Sequence, residues 1–227
     1  MIRTWPCPLP GGKTSEELVV SHGPDEGTIV LVIPPLFDEH NKMRRQLVEV
    51  MRRLSEAGIG TRLPDLPGWN ESTRPLANQS LAHWREAIRE AARIHDATRF
   101  LAVRSGALIA PSEIKGWLYA PQSGPKLLRA MIRARVIASR EAGTTETSEK
   151  LNELGRTAGV TLAGWYIGPE LFRELETAEI RESSDHVGIS QQLIGGPPLW
   201  LRAEPAEDQV QADSLATAIL EELAAPE

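Results

Sequence analysis

Cysteine is almost missing: Cys7 is the only one in 227 residues. An intrachain disulfide and a thiolate metal cluster are therefore excluded. Histidine is scarce as well, and no two of the five have metal-ligand spacing, so no metal site and no cofactor is expected. There is no long hydrophobic run: the apolar stretches near Thr28–Leu36 and Arg99–Val103 are far too short to cross a bilayer. The N-terminus, Met1-Ile2-Arg3-Thr4-Trp5-Pro6, lacks the apolar stretch of a signal peptide, so a cytoplasmic location without membrane insertion is expected. An excess of basic charge is missing too. Lys plus Arg is 25 against 31 for Asp plus Glu, a net charge of −6, and nucleic acid is not expected as a partner. Gly11-Gly12-Lys13-Thr14 ends like a phosphate-binding loop but lacks the upstream glycine and a preceding strand.

What is present is a strand–helix rhythm. Met1–Gly27 reads as a Pro- and Gly-rich loop with Glu17–Ser21 as a possible edge strand. Thr28–Ile33 is a continuous branched apolar run, the signature of a central parallel strand covered on both faces. Met43, Leu47, Val50, Met51 and Leu54 recur at helical spacing before Gly58. A second strand is predicted at Ile59–Leu66, a helix capped by Ser80 through about His95, and strands at Phe100–Val103 and Gly116–Tyr119. Helices follow at Lys126–Ala142, Thr147–Ala158 and Pro169–Thr177, then strand character at Pro198–Arg202 and a closing helix at Gln209–Leu223. This order argues for an α/β fold with a doubly wound, mainly parallel sheet. The core is expected at residues 1–121 and 197–227, with a helical cap insertion at residues 122–196.

Three segments carry the chemistry-bearing pattern. Ile33-Pro34-Pro35-Leu36-Phe37-Asp38-Glu39-His40-Asn41-Lys42 runs from a strand end into a helix; Asp65-Leu66-Pro67-Gly68-Trp69-Asn70-Glu71-Ser72 forms a turn after the next strand; Ala102-Val103-Arg104-Ser105-Gly106 resembles a nucleophile elbow. Together they resemble the α/β-hydrolase superfamily. Pro34 to Arg45, Ala102 to Ala110 and Val160–Leu171 are similar, more narrowly, to the hydrolase-like proteins associated with the exosortase A system of exopolysaccharide-producing bacteria, and the likeness runs from about Thr28 to Glu179. The resemblance implies the α/β-hydrolase fold and a hydrolase label; read as a hydrolase, the chain is expected to act on an ester or thioester in exopolysaccharide assembly.

The departures from that pattern are chemical. The elbow centre falls on Arg104, and a guanidinium has no lone pair with which to attack. Only a short segment separates Arg104 from Trp117, so the elbow helix must be a stub ended by Pro111. Ser105 is the neighbouring hydroxyl, but its position favours its backbone N–H as the group that faces the site. His186 is a loop histidine before the last strand, Asp208 is one of three carboxylates available for the acid position, and no histidine follows His186. Arg104, Ser105, His186 and Asp208 are the catalytic candidates, with Leu36, Phe37, Glu39, Asp65 and Trp69 lining the pocket; His40 is read as structural at a helix start.

Arg104 allows two readings. It could clamp a carboxylate or phosphate of a ligand, or be neutralised by Glu39 or Asp65 and fill a lost active site. Two functions follow: a hydrolase with unusual machinery, or a non-catalytic relative binding a small-molecule, acyl- or glycan-related ligand, or a partner protein or second copy. The basic run Lys42, Arg44, Arg45, Arg52 and Arg53 reads as a solvated helix face.

Overall fold

Three strands open the chain, and strands and helices alternate from the third strand to the fifth. In order they are β1 (Ile2–Leu9), β2 (Lys13–His22), β3 (Ile29–Ile33), α1 (Asp38–Glu56), β4 (Gly60–Pro64), α2 (Leu81–Ile94), β5 (Arg99–Val103) and β6 (Gly116–Tyr119). Then come α3 (Gly124–Glu141), α4 (Ser148–Thr157), β7 (Val160–Leu162), β8 (Trp165–Ile167), α5 (Pro169–Thr177), β9 (His186–Ile189), α6 (Gln191–Ile194) and α7 (Gln209–Ala224). The computed structural model describes residues 1–181 and 183–225; residue 182 of the expected cap and residues 226–227 of the expected core lie outside them.

Seven strands form one sheet in the order β1-β2-β4-β3-β5-β6-β9. The pairs β1/β2 and β2/β4 are antiparallel, and the others are parallel. The expected α/β architecture with a mainly parallel sheet is present. All five residues of β3 are buried because both sheet faces are covered. Leu31 and Ile33 join the cluster beneath α2, while Val30 and Val32 join the one beneath α1 and α7. The period of two divides each strand between two cores.

Two expectations fail at the ends of the chain. The strand expected at Glu17–Ser21 lies within β2, but the rest of the first segment is not loop: it completes a hairpin turned at Gly11 and Gly12, both at positive φ (79° and 75°). Pro6 and Pro8 suggested a loop, yet they sit on the edge strand, where a missing N–H breaks no ladder. The strand expected at Pro198–Arg202 is a 3-10 turn at Leu199–Leu201. Pro197 and Pro198 lead into it without backbone donors. The sheet's last strand is instead β9, four residues inside the stretch expected to be cap, in register with β6 from Gly116↔His186 to Tyr119↔Ile189.

Between β6 and β9 lie helices α3, α4 and α5 and the small β7–β8 hairpin. Their apolar faces, Leu127, Met131, Leu151, Leu171 and Phe172 among them, belong to the same buried cluster as Leu36, Phe37 and Trp84. Glu174 of α5 accepts hydrogen bonds from the backbone N–H groups of Leu81 and Ala82, which places a carboxylate at the start of α2. Strand order reverses between β3 and β5, and the crevice outside their C-terminal ends opens beneath α3.

Candidate functional site

The crevice is built from the end of β3 and the turn after β5. Arg104 opens that turn at φ 55°, a left-handed conformation that costs a side-chain-bearing residue energy and produces the sharp strand-to-helix reversal of an elbow. The reversal presses Gly106 against β3. A Cβ there would stand 2.4 Å from the Pro34 carbonyl oxygen and 2.7 Å from that of Ile33, so only glycine fits. The following helix is a 3-10 stub, Arg104–Ile109, as the short spacing to β6 required.

The two polar elbow residues are both engaged. Ser105 is fully buried, and its Oγ accepts a hydrogen bond from the Leu36 backbone N–H at 2.9 Å. That N–H lies at the end of β3, where a hydrolase of this topology offers a donor to an oxyanion. Arg104 meets Glu39 in a two-point contact: Nε reaches Oε2 at 3.0 Å and Nη2 reaches Oε1 at 3.2 Å. Nη1 donates to the Ala120 carbonyl at 3.1 Å, and the guanidinium carbon lies 4.4 Å from the centre of the Trp200 ring. The Arg104 and Glu39 side chains are only 14% and 15% exposed, which leaves little of either head group to solvent. Of the two carboxylates considered for Arg104, Glu39 is the partner. Tyr119 packs edge-on against Trp200 and hydrogen-bonds Gln191; burial pushes its phenol up to about 12.

Asp65 stands in a separate buried cluster. Its Oδ1 accepts from Arg44 at 3.0 Å and from Asn70 at 2.7 Å. The same two donors approach His40 Nε2 at 2.9 and 3.2 Å. Facing two donors, Nε2 must accept, so the ring proton sits on Nδ1. Burial, assisted by the neighbouring Arg44 charge, lowers the His40 pKa to about 3 and keeps the ring neutral. Trp69 closes the cluster, edge-on to His40 and to Trp84. Asp65 Oδ2 and Trp69 Nε1 are buried with no hydrogen-bond partner among the described residues.

A pocket of about 220 Å³ is lined by Glu39 and Trp200, the two side chains that Arg104 meets, but by none of Arg104, Ser105 or Gly106. Leu36, Phe37, Leu127, Met131, Trp200 and Leu201 give it a largely apolar lining, to which Asp38, Glu39 and Lys42 add charge. Leu36, Phe37, Glu39 and Arg104 are therefore gathered at one place. Asp65 and Trp69 are not; they fasten the turn after β4 to α1. His186 begins β9 at the opposite end of the sheet, edge-on to Phe100 at 5.1 Å. Asp208 caps α7, accepting from Gln211 N–H at 3.1 Å, and its backbone exchanges two hydrogen bonds with the Gln46 side chain. Neither reaches the elbow. Sequence reasoning missed Trp200, and the only signal for it was an indole just after Gly195-Gly196-Pro197-Pro198. Among the described residues no group of three His, Cys, Asp or Glu side chains could hold a metal ion, and no helix is long and apolar enough to cross a membrane.

No family model matches the chain, and no curated protein matches it. Solved structures do. The bromoperoxidase of Bacillus anthracis matches 98% of this chain and 100% of its own, at 14% identity and a TM-score of 0.56. A protein of Agrobacterium vitis S4 assigned to the hydrolases matches 97% of this chain and 98% of its own, at 14% identity and a TM-score of 0.53. The match to the epoxide hydrolase VrEH1 of Vigna radiata, at 19% identity and a TM-score of 0.43, spans 53% of this chain and 39% of the enzyme's length. Strand order, elbow and the likeness to the bromoperoxidase and the Agrobacterium vitis protein agree on the α/β-hydrolase fold.

Proposed function

We propose that this α/β-hydrolase-fold chain is a binding protein with a converted active site, a pseudoenzyme rather than an ester or thioester hydrolase. The observation that carries this reading is the hydrogen bond from the Leu36 N–H to Ser105 Oγ, next to an elbow closed by the Arg104–Glu39 pair. A serine hydrolase needs a free hydroxyl at the elbow centre and free N–H donors for the oxyanion. Here the only hydroxyl at the elbow is an acceptor turned inward, and it occupies one of those donors. The elbow centre holds a cation that cannot act as a nucleophile.

What the site retains is a small apolar chamber under the insertion, which serves as its cap. Its volume is below the range of drug-sized pockets and suits a short acyl chain or a comparably small apolar group. The resemblance of the Pro34–Arg45 and Ala102–Ala110 stretches to exosortase A-associated proteins supports a bacterial, cytoplasmic role in exopolysaccharide assembly, with an acyl- or glycan-related ligand. The test has two arms. Intact mass spectrometry after exposure to a fluorophosphonate is expected to show no adduct, whereas a stoichiometric adduct on Ser105 restores the hydrolase reading. Calorimetric titration with short-chain fatty acids is expected to give binding that Met131→Trp abolishes by filling the chamber.

A further inference from the structure

Helix α3 carries Lys126, Arg129, Arg133, Arg135 and Arg140 against a single acidic residue, Glu141, in a chain whose net charge is −6. The arrangement works against the helix itself. Lys126 and Arg129 lie in its opening turns, where the macrodipole disfavours cations, and its first turn holds no acidic residue. Arg129 and Arg133 are one turn apart, a like-charge spacing that destabilises a helix. Arg135 is neutralised by Glu146 and Arg156 by Glu176, but Arg129, Arg133 and Arg140 have no carboxylate partner among the described residues. Nothing among the described residues accounts for these three.

They border a groove of about 680 Å³ between α3 and α4. Its floor is apolar: Leu128 and Ile132 are buried there, Val136 is partly buried, and Ile137 is 46% exposed beside them. Ser148 and Asn152 of α4 form the other side with Glu176 of α5, whose charge is held by Arg156. An apolar floor between two helices, edged by unpaired cations, is the complement of an amphipathic helix with carboxylates beside its apolar stripe. Arg129 and Arg133 are about 6 Å apart, and Arg140 is about 10 Å further along the same helix. From these observations we infer that the α3–α4 groove is a docking site for an acidic amphipathic helix of a partner protein. A second copy of this chain is a poorer complement, because the apolar faces of its helices α1, α2, α4, α5 and α7 are already buried in its own cores. The inference does not depend on the reading of the elbow site.

The test uses the full chain and a synthetic 18-residue helical peptide with a Leu/Ala face and glutamates spaced to meet the three arginines. Fluorescence anisotropy is expected to show saturable binding that weakens steeply with salt. Replacing the glutamates by glutamines, or introducing Arg129→Glu with Arg133→Glu, is expected to weaken it at least about 10-fold. Ile137→Ser is expected to weaken it about 3-fold or more, which a purely electrostatic contact would not show. All three side chains are exposed, so these variants should keep the circular dichroism spectrum and melting temperature of the parent. No peptide binding, or binding indifferent to the arginine pair, overturns the inference. Preferential binding to phosphatidylglycerol vesicles, lost in the arginine double variant, overturns it in favour of a membrane surface. Self-association in sedimentation velocity, abolished by the same variant, overturns it in favour of a homodimer.

Discussion

Glu39→Ala removes the carboxylate that meets Arg104 at two points and leaves a guanidinium with one hydrogen bond, to Ala120, and the face of Trp200. Breaking a fully buried ion pair by deleting one partner costs about 3–5 kcal/mol. These side chains keep roughly a seventh of their surface exposed, and the remaining carbonyl and indole contacts soften the loss, so about 2–3 kcal/mol is expected. For a chain of this size that corresponds to a melting temperature about 4–12 °C lower. Arg104→Ala should cost less, because the stranded Glu39 lies in the first turn of α1, where the helix dipole favours it. The decisive quantity is the coupling from the full double-mutant cycle, measured by urea denaturation of the parent, both single variants and the pair. We expect about 1.5–2 kcal/mol. A coupling below about 0.5 kcal/mol, the level of an exposed surface pair, would mean that Glu39 does not close the elbow and that Arg104 is available to a ligand.

Four further outcomes follow. Ser105→Ala leaves the buried Leu36 N–H without its acceptor and should lower the urea-derived stability by about 1–3 kcal/mol; no loss would show that this hydrogen bond is not formed in solution. Arg104→Ser should leave p-nitrophenyl acetate hydrolysis at the background rate, because Ser105 still occupies the Leu36 N–H; clear turnover in a colorimetric assay would count against the converted-site reading. His40 is held neutral with its pKa lowered to about 3, below its ordinary value near 6.5, so its contribution is complete above pH 6.5 and is lost as pH falls from there toward 3. Between pH 6.5 and 5 the parent should therefore lose about 1–2 kcal/mol more than His40→Gln in denaturant titrations, and parallel pH profiles would contradict the buried neutral imidazole. Gly106→Ala drives a Cβ into the β3 carbonyls and should cost at least about 2 kcal/mol or yield no soluble protein; a melting curve like the parent's would refute the tight elbow.

The central strands and long helices were legible because their signals are local. The run Ile29–Ile33 is buried on both faces, the stripe from Met43 to Leu54 faces the sheet, and Ser80 caps α2 by accepting from His83 N–H. The elbow was legible too, since a left-handed Arg104 and a space-limited Gly106 follow from the strand–turn spacing. The ends of the sheet were not. Pro6 and Pro8 argue for loop until the edge of a sheet makes their missing donors harmless, and His186–Ile189 is too short for any period to show. Misplacing that strand is also what brought His186 into the candidate site.

By itself, then, the sequence determined the order of the central strands and long helices, the identity of the elbow and the absence of a nucleophile at its centre, because each depends on side-chain period, backbone preference or the chemistry of one residue. Only the tertiary structure decided which carboxylate meets Arg104, that Asp65 belongs instead to Arg44, Asn70 and His40, and that Ser105 turns its oxygen onto Leu36. Glu39 and Asp65 both leave strand ends at the same edge of the sheet, so no spacing distinguishes them. The choice is made by direction: Glu39, in the first turn of α1, faces the elbow, while Asp65 faces Arg44 one turn further along the same helix. Such directions exist only once the helix has settled on the sheet.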